Sequence, residues 1–386
     1  MKITRLTTYA VAPRWLFLRI DTDEGVTGWG EPALEGRVRT VAAAVEELGE
    51  LLIGADPLRI EAHWQLLTKA GFYRGGPVLS SAVGGIDQAL WDIAGKVRGV
   101  PVHELLGGPL RERVRVYSWI GGDRVTDVAE EAVRKVEEGF TAVKMNASAQ
   151  MRAIDTPQAV DEVVQRVAAV RAALGPTRDV AIDFHGRVST AMARRLLPLL
   201  EPMQPMFVEE PILPEHAANL ASVVECSSVP IATGERLYSR WDFRQALDAG
   251  VAVAQPDISH AGGISEVRRI AAQAETYDAF LAPHCPLGPV ALASALQVDF
   301  AIPNLLIQEQ SLGIHYNGEG ADLLDYLLDR SVFRYRDGWV DRPLGPGLGV
   351  EVDAKAIEAA AAWADDHAYE WRTPVWHHED GALSEW

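Results

Sequence analysis

The feature that most constrains this chain is a repeat. Short apolar runs recur along its second half, each closed by a reactive side chain: TAVKMN, VAIDFHG, PMFVEEP, VPIATGE, VAVAQPD, AFLAPHC and LLIQEQ. The closing residues are Lys144, Asp183, Glu209, Glu235, Asp257, His284 and Glu309, at successive spacings of 39, 26, 26, 22, 27 and 25 residues. Such short, mostly apolar runs are how parallel strands read when both faces are buried. Amphipathic stretches such as STAMARRLLPLLE and GISEVRRIAAQAETY lie between them. Alternating strand and helix patterns predict an α/β fold, either a (β/α) barrel or a doubly wound sheet. A doubly wound sheet gathers its site at one switch point. Functional groups at the ends of nearly every strand belong instead to a barrel mouth, and a unit of roughly 30 residues fits the spacing. No GxGxxG turn follows an early strand, so a dinucleotide site has no support.

The flanks of the repeat differ from it. ITRLTTYAV, LFLRIDT and VTGWGE predict an antiparallel meander, and from Arg37 to Leu106 apolar residues recur at helical spacing. Strands followed by helices suggest an α+β unit. The chain therefore divides into an α+β region at 1–115, a barrel at 116–330 and a tail at 331–386. The tail reads as one or two hairpins and an Ala-rich helix, DAKAIEAAAAWADD, and is expected to leave the barrel and pack on the N-terminal region.

Lys and Arg number 36 against 54 Asp and Glu, a net charge of −18. That field repels phosphate, so neither nucleic acid nor an anionic membrane is an expected partner. The apolar stretches fall short of the ~20 residues of a membrane span. MKITRLTTYAVAPRW lacks the apolar core of a signal peptide, and two cysteines are too few for a disulfide framework. A soluble, cytoplasmic protein is expected.

Asp183, Glu209 and Glu235 close three consecutive runs. Adjacent strands lie ~4.8 Å apart, so three carboxylates can meet around one point. They would repel unless a cation sits among them, and oxygen-only ligands suit Mg²⁺. Taken singly, each acid could instead cap the following helix. Strand parity puts His185 on the same face as Asp183, and puts Glu209 and Glu210 on opposite faces; the regular spacing favours Glu209. Asp257 and His284 fall on neighbouring strands, where a carboxylate fixes the tautomer of a histidine acting as general base. Cys285 should face away from its neighbour His284. Lys144 and Asn146 share a face and could bind a substrate carboxylate; Glu309, if protonated, could donate to an anionic intermediate. A metal, a His–Asp base and a second histidine acting as acid suffice to remove a proton next to a carboxylate and then a β-hydroxyl, which is dehydration.

On these residues the chain resembles the enolase superfamily, in its mandelate-racemase-like branch. The features are the spaced carboxylates, QPDISHAGG, APHCPLGP and the late PGLGVEVD, spread over essentially the whole chain. The resemblance implies a modified (β/α)7β TIM-like barrel with an α+β capping domain formed by the N-terminal region and the C-terminal tail. GFYRGGP, GIDQALWDI, YSWIGGD, DFHGRVS, QEQSLGIHYN and the terminal WHHED…SEW are similar, more narrowly, to the D-galactonate dehydratases of that branch. This implies Mg²⁺ on Asp183, Glu209 and Glu235. His284, paired with Asp257, would take the C2 proton and His185 would protonate the departing C3 hydroxyl of a sugar acid. Lys144, Asn146 and Glu309 would contact substrate or enediolate. Arg14, Trp15, Tyr73 and Arg74 would read its distal hydroxyls from capping loops, or else pack the interface. Racemases of the branch carry Lys-x-Lys where this chain has Lys144-Met145-Asn146. Losing the second amine leaves one base on that face, which argues for one-way elimination. A homo-oligomer is the common assembly in the branch.

Overall fold

A computed structural model describes residues 1–121, 125–314, 317, 322–373 and 375–385. Gly122 and Asp123 of YSWIGGD, His315 and Tyr316 of QEQSLGIHYN, and the final Trp386 lie outside the described residues.

The N-terminal region forms an antiparallel sheet of β1 (Ile3–Val11), β2 (Trp15–Thr22) and β3 (Thr27–Gly30). Helices α1 (Val38–Gly49), α2 (Ile60–Lys69), α3 (Pro77–Arg98) and the short α4 (Val102–Leu105) follow. The apolar faces of α1–α3 and the β1–β2 hairpin make one core, with Leu16, Leu18, Ile20, Val41, Trp64, Ile86 and Leu90 buried in it.

The repeat folds as a closed ring. Its strands are β4 (Arg113–Ile120), β5 (Ala142–Asn146), β6 (Asp179–Asp183), β7 (Val208–Glu209), β8 (Ile231–Thr233), β9 (Val253–Ala254), β10 (Phe280–Leu281) and β11 (Gln308–Glu309). Every neighbouring pair is parallel from β4 through β10, and β11 returns to β4. The ring shuts where Leu281 and Leu305 form a parallel bridge, with Leu306 N–H donating to the Leu281 carbonyl at 2.7 Å. Between successive strands run α5 (Val125–Glu137), α6 (Pro157–Leu174), α7 (Thr190–Leu200), α8 (Leu220–Val224), α9 (Arg240–Asp248), α10 (Ile264–Glu275) and α11 (Pro289–Ala301). Among the described residues this is the (β/α)7β arrangement. Thr156, Ser189 and Ser239 start α6, α7 and α9 by accepting a backbone N–H in the first turn. Helix α11 is mostly apolar and buried along Pro289–Phe300, with Ser294, Gln297 and Asp299 as its buried polar residues.

The period of two sets what faces inward. Tyr117, Ala142, Ala181, Phe207, Ala232, Val253, Ala282 and Ile307 fill the ring as one cluster. Two residues on from most of them lie Trp119, Lys144, Asp183, Glu209, Gln255, His284 and Glu309, which brings those side chains to the C-terminal mouth. The intervening Val143, Met145, Val180, Ile182 and Val208 face the helices.

In the tail, β12 (Trp339–Asp341) pairs antiparallel with β4, and α12 (Ala354–Asp366) lies against β1. The last hairpin, β13 (Trp376–His377) with β14 (Leu383–Ser384), turns instead to the loops after β5 and β6. Gln150 donates to the His377 carbonyl at 2.9 Å, and the Arg187 guanidinium sits 4.7 Å over the Trp376 ring. Among the described residues, no helix is long and apolar enough to cross a membrane.

Candidate active site

Lys144 stands at the centre of the mouth. Its Nζ donates to both oxygens of Glu209 at 2.8 Å, and lies 3.0 Å from Glu309 Oε1 and 3.3 Å from Asp183 Oδ2. The rings of Tyr117 and Trp119 flank it at 5.6 and 5.5 Å. Burial alone would favour the neutral amine. The carboxylates outweigh it and hold the Lys144 pKa well above its ordinary value. A solvated lysine at a strand end is thereby excluded.

Asp183 ends β6. Its Oδ1 accepts the His185 N–H at 2.8 Å and its Oδ2 lies 3.1 Å from His185 Nε2. Burial opposes the ionised form, but His185 and Lys144 prevail and keep this carboxyl below its usual range. The strand stops at Asp183, and His185 adopts φ +48°. It therefore reaches Asp183 through a left-handed turn, where strand parity anticipated a continuing pleat. Trp119 packs beside the imidazole at 5.8 Å. Burial pulls the His185 pKa down to about 4.

Glu209 and Glu210 part as expected. Glu209 faces the mouth, taking Lys144 on both oxygens and Gln255 Nε2 at 2.6 Å. Glu210, at φ +41°, accepts from Arg236 Nε at 2.8 Å and Nη2 at 2.6 Å. Glu235 breaks the inward period set by Ala232. Gly234 at φ +153° makes the break, and a Cβ there would lie 2.7 Å from the Phe243 ring. Burial, then the Glu210 charge, pushes the Glu235 pKa up to about 7.

On the other side of the mouth, His284 Nδ1 lies 2.7 Å from Asp257 Oδ2, and His284 Nε2 lies 3.2 Å from Glu235 Oε2. Burial works against the imidazolium, but Glu235, Glu309 and Asp257 outweigh it and lift His284 to about 10. The Cys285 thiol lies in the hydrophobic core, while its amide donates to Glu309 Oε2 at 2.8 Å. Both of these Glu309 contacts are to donors, Lys144 and this amide, so Glu309 is placed as an acceptor. Asn146 Oδ1 is buried without a hydrogen-bond partner among the described residues.

The donor set fits a cation. Asp183 Oδ2 and Glu235 Oε2 are buried oxygens that accept no well-aligned hydrogen bond among the described residues, although Lys144 Nζ and His185 Nε2 lie 3.3 and 3.1 Å from the first and His284 Nε2 lies 3.2 Å from the second. One ligand atom each from Asp183, His185 and Glu235 falls within 4.8 Å of the others. Glu209 borders this group, its oxygens engaged by Lys144 and Gln255.

The capping-loop residues are not brought to the cluster. Arg14 pairs with Glu35. Trp15 is fully buried, edge-on to Tyr326 at 5.4 Å, so it packs the core and does not line the mouth. Tyr73 is 89% exposed, with its ring against Phe72. Trp15 opens strand β2 and is turned into the core by its pairing with Val11, while Arg14 and Tyr73 lie in loops with no strand period to fix their direction. Sequence reasoning also missed His260 and Gln255. His260 Nδ1 lies 3.2 Å from the Glu235 carbonyl, and its ring 5.9 Å from that of His284. For Gln255 the signal existed: it stands two residues before Asp257 on the inward face.

Comparisons with known proteins agree over the whole chain. Residues 3–107 match the mandelate racemase / muconate lactonizing enzyme N-terminal domain, and residues 127–356 match the enolase C-terminal domain-like family. The sequence is 55% identical over 387 residues, covering 100% of both chains, to the D-galactonate dehydratases of Variovorax paradoxus and Ralstonia pickettii. The D-galactonate dehydratase of Pectobacterium atrosepticum is 52% identical at the same coverage. A solved enolase-superfamily member from Salmonella Typhimurium superposes with a TM-score of 0.86 at 32% identity, over 92% of this chain and 97% of that one. A mandelate racemase/muconate lactonizing enzyme from Jannaschia sp. CCS1 gives a TM-score of 0.86 at 32% identity, over 93% and 97%.

Proposed function

Because the chain belongs to the enolase superfamily, within its mandelate racemase/muconate lactonizing enzyme group, we propose that it is a D-galactonate dehydratase, converting D-galactonate to 2-dehydro-3-deoxy-D-galactonate. The geometry that supports this best is the Asp257–His284 pair at 2.7 Å, facing a cluster of buried carboxylates in which Asp183 Oδ2 and Glu235 Oε2 accept no well-aligned hydrogen bond among the described residues. Members of this superfamily bind a divalent metal; the ligand atoms of Asp183 and Glu235 lie together with one of His185, and with Glu209 bordering them the oxygen donors would suit Mg²⁺ held by Asp183, Glu209 and Glu235. When bound, the ion supplies positive charge that stabilises a deprotonated substrate carboxylate and offsets the Glu235 charge that lifts His284.

His284 Nε2 accepts the C2 proton, while Asp257 holds the tautomer by accepting at Nδ1. Lys144 and Asn146 orient the substrate carboxylate, and Glu309 with Lys144 borders the enediolate that forms. His185 hands a proton to the C3 hydroxyl: the C2–H electrons form C2=C3, the C3–O bond breaks, and water leaves. The enol then becomes the 2-keto acid. His185 is neutral by burial, and an anionic substrate beside it raises its proton affinity as this step requires. Residues 1–115 with 331–386 act as the capping domain over a barrel at 116–330, and Arg14 and Tyr73 would meet distal hydroxyls from that side. The enzyme works in the cytoplasm as a homo-oligomer.

The test is keto-acid formation from a panel of aldonates with and without Mg²⁺. Product from D-galactonate that disappears with EDTA is expected. Product from another sugar acid alone would keep the chemistry and overturn the substrate. Inversion at C2 with no keto product would replace dehydration by epimerisation.

A further inference from the structure

The loop that carries Asp257 is gripped by the N-terminal region. Ser259 donates its amide to Asp257 Oδ1 at 2.7 Å and its hydroxyl to the Glu31 carbonyl at 2.6 Å. Gln88, on α3, donates Nε2 to the Ile258 carbonyl and the Ser259 hydroxyl, both at 3.3 Å, and accepts the Glu31 amide at 2.8 Å. Trp64, on α2, donates to the Gly262 carbonyl at 2.9 Å. The α3 backbone is pressed so close that a Cβ on Gly84 would collide with the Ser259 carbonyl.

Both helices that follow the dyad strands are capped from the same side. Glu31 accepts the amides of Gly288 at 2.6 Å and Ala291 at 2.9 Å, in the first turn of α11, which follows His284. Asp87, on α3, accepts the Ser265 amide at 2.9 Å and its hydroxyl at 2.6 Å, in the first turn of α10, which follows Asp257. Glu31, Asp87, Gln88 and Ser259 are all buried. Two buried carboxylates placed on two successive helix starts, out of the seven in the ring, are more than interface filling. Burying them is costly, and here the cost falls where the base is built.

We propose that the capping region positions the proton-abstracting dyad: Glu31 and Gln88, acting through Ser259, fix the Asp257 carboxylate against His284. None of the three touches the reacting atoms, so they are positioning residues. The inference rests on the dyad reading of the proposed function. Asp257 aims Oδ2 at His284 only while Oδ1 is held by the Ser259 and His260 amides, at 2.7 and 3.0 Å. The Ser259 hydroxyl, anchored on Glu31, sets where that amide points. Precise support of this kind is what keeps a catalytic pair in productive geometry.

Ser259→Ala keeps the amide and removes the anchor. Its kcat and its rate of C2 hydrogen–deuterium exchange should fall together by about ten-fold, with KM and Mg²⁺ affinity near wild type. The downfield imidazole N–H resonance of His284, followed by NMR in the intact protein, should shift or broaden. Gln88→Leu should reproduce the effect from the other domain, and Ser259→Thr, which restores a hydroxyl, should recover part of it. Wild-type exchange and an unmoved resonance in folded Ser259→Ala and Gln88→Leu would overturn the inference. Should Ser259→Ala not fold, Gln88→Leu and the same resonance decide alone. His284→Asn separates the two levels: if it still exchanges the C2 proton, the dyad reading fails and takes this inference with it. If it does not, a wild-type result in Ser259→Ala refutes the inference only.

Discussion

The two sides of the barrel mouth are built differently. The strands β5–β8, which carry Lys144, Asp183, Glu209 and Glu235, rest on a core made by the barrel alone, between Ile120 and Val251. The strands β9–β11, which lead to Asp257, His284 and Glu309, share a core with the N-terminal strands: Val11, Trp15 and Phe17 join Ala254, Ile258, Leu281 and Val290. The strands bearing the carboxylates, on the cation side, thus rest on a core within the barrel region, and the strands leading to Asp257 and His284, on the joint side, rest on a core shared with the N-terminal region.

The largest break in that comparison is expected at the base itself. His284→Asn should lower both C2 exchange and keto-acid formation by at least about 10³-fold, the upper part of what one general base contributes. Mg²⁺ affinity, measured by calorimetry, should change little, because the proposed ligands are carboxylates and His284, although 3.2 Å from Glu235 Oε2, is not among them. A matching loss of metal affinity would dissolve the distinction between the two sides. Next is Asp183→Asn, which removes the buried Oδ2 charge beside Lys144 and His185. Mg²⁺ affinity should drop by about 100-fold, and unchanged affinity would remove Asp183 from the ligand set. Smaller and more selective is His185→Asn. Its step follows C2 deprotonation, so dehydration should fall by about 100-fold while exchange is largely kept. Equal loss of both would argue against a separate acid.

Much of the cation side was legible because a parallel strand has a rigid period. Lys144, Asp183 and Glu209 lie on the inward set that begins at Ala142, Ala181 and Phe207, so position in the run fixes direction. Glu235 was found by spacing although Gly234 breaks the period, a kink that no alternation predicts. His185 came to the right place for a partly wrong reason, since a left-handed turn delivers it. The base pair itself could be read, but its support could not. Glu31 lies 228 residues from Ser259 and 257 from Gly288, and no local pattern links them. Trp15 and Tyr73 show the same limit from the other direction: both stand in stretches of suggestive composition, and the structure buries Trp15 at the start of β2 and exposes Tyr73 in a loop.

The smallest expected effect tests whether the buried cap carboxylates weigh on the joint side alone. Burial, opposed by the Gly288 and Ala291 amides, raises the Glu31 pKa from 4.5 to about 7. The folded protein therefore holds this proton where the unfolded chain has released it. By linkage, the contribution to stability is full below the ordinary value of 4.5 and is lost as pH rises through about 7. At 1.36 kcal/mol per unit, the change amounts to about 3 kcal/mol. Asp87 is raised by burial to about 7 as well, so it adds a decline of the same sign. Glu31→Gln removes the first and keeps the second. Its urea midpoints between pH 4.5 and 8 should therefore fall less steeply than those of the wild type, with the curves drawing apart most at the acidic end once their constant offset is subtracted. Parallel curves would mean that Glu31 is ionised throughout, as its two amide donors favour, and that its hold on α11 is the same at every pH in the range.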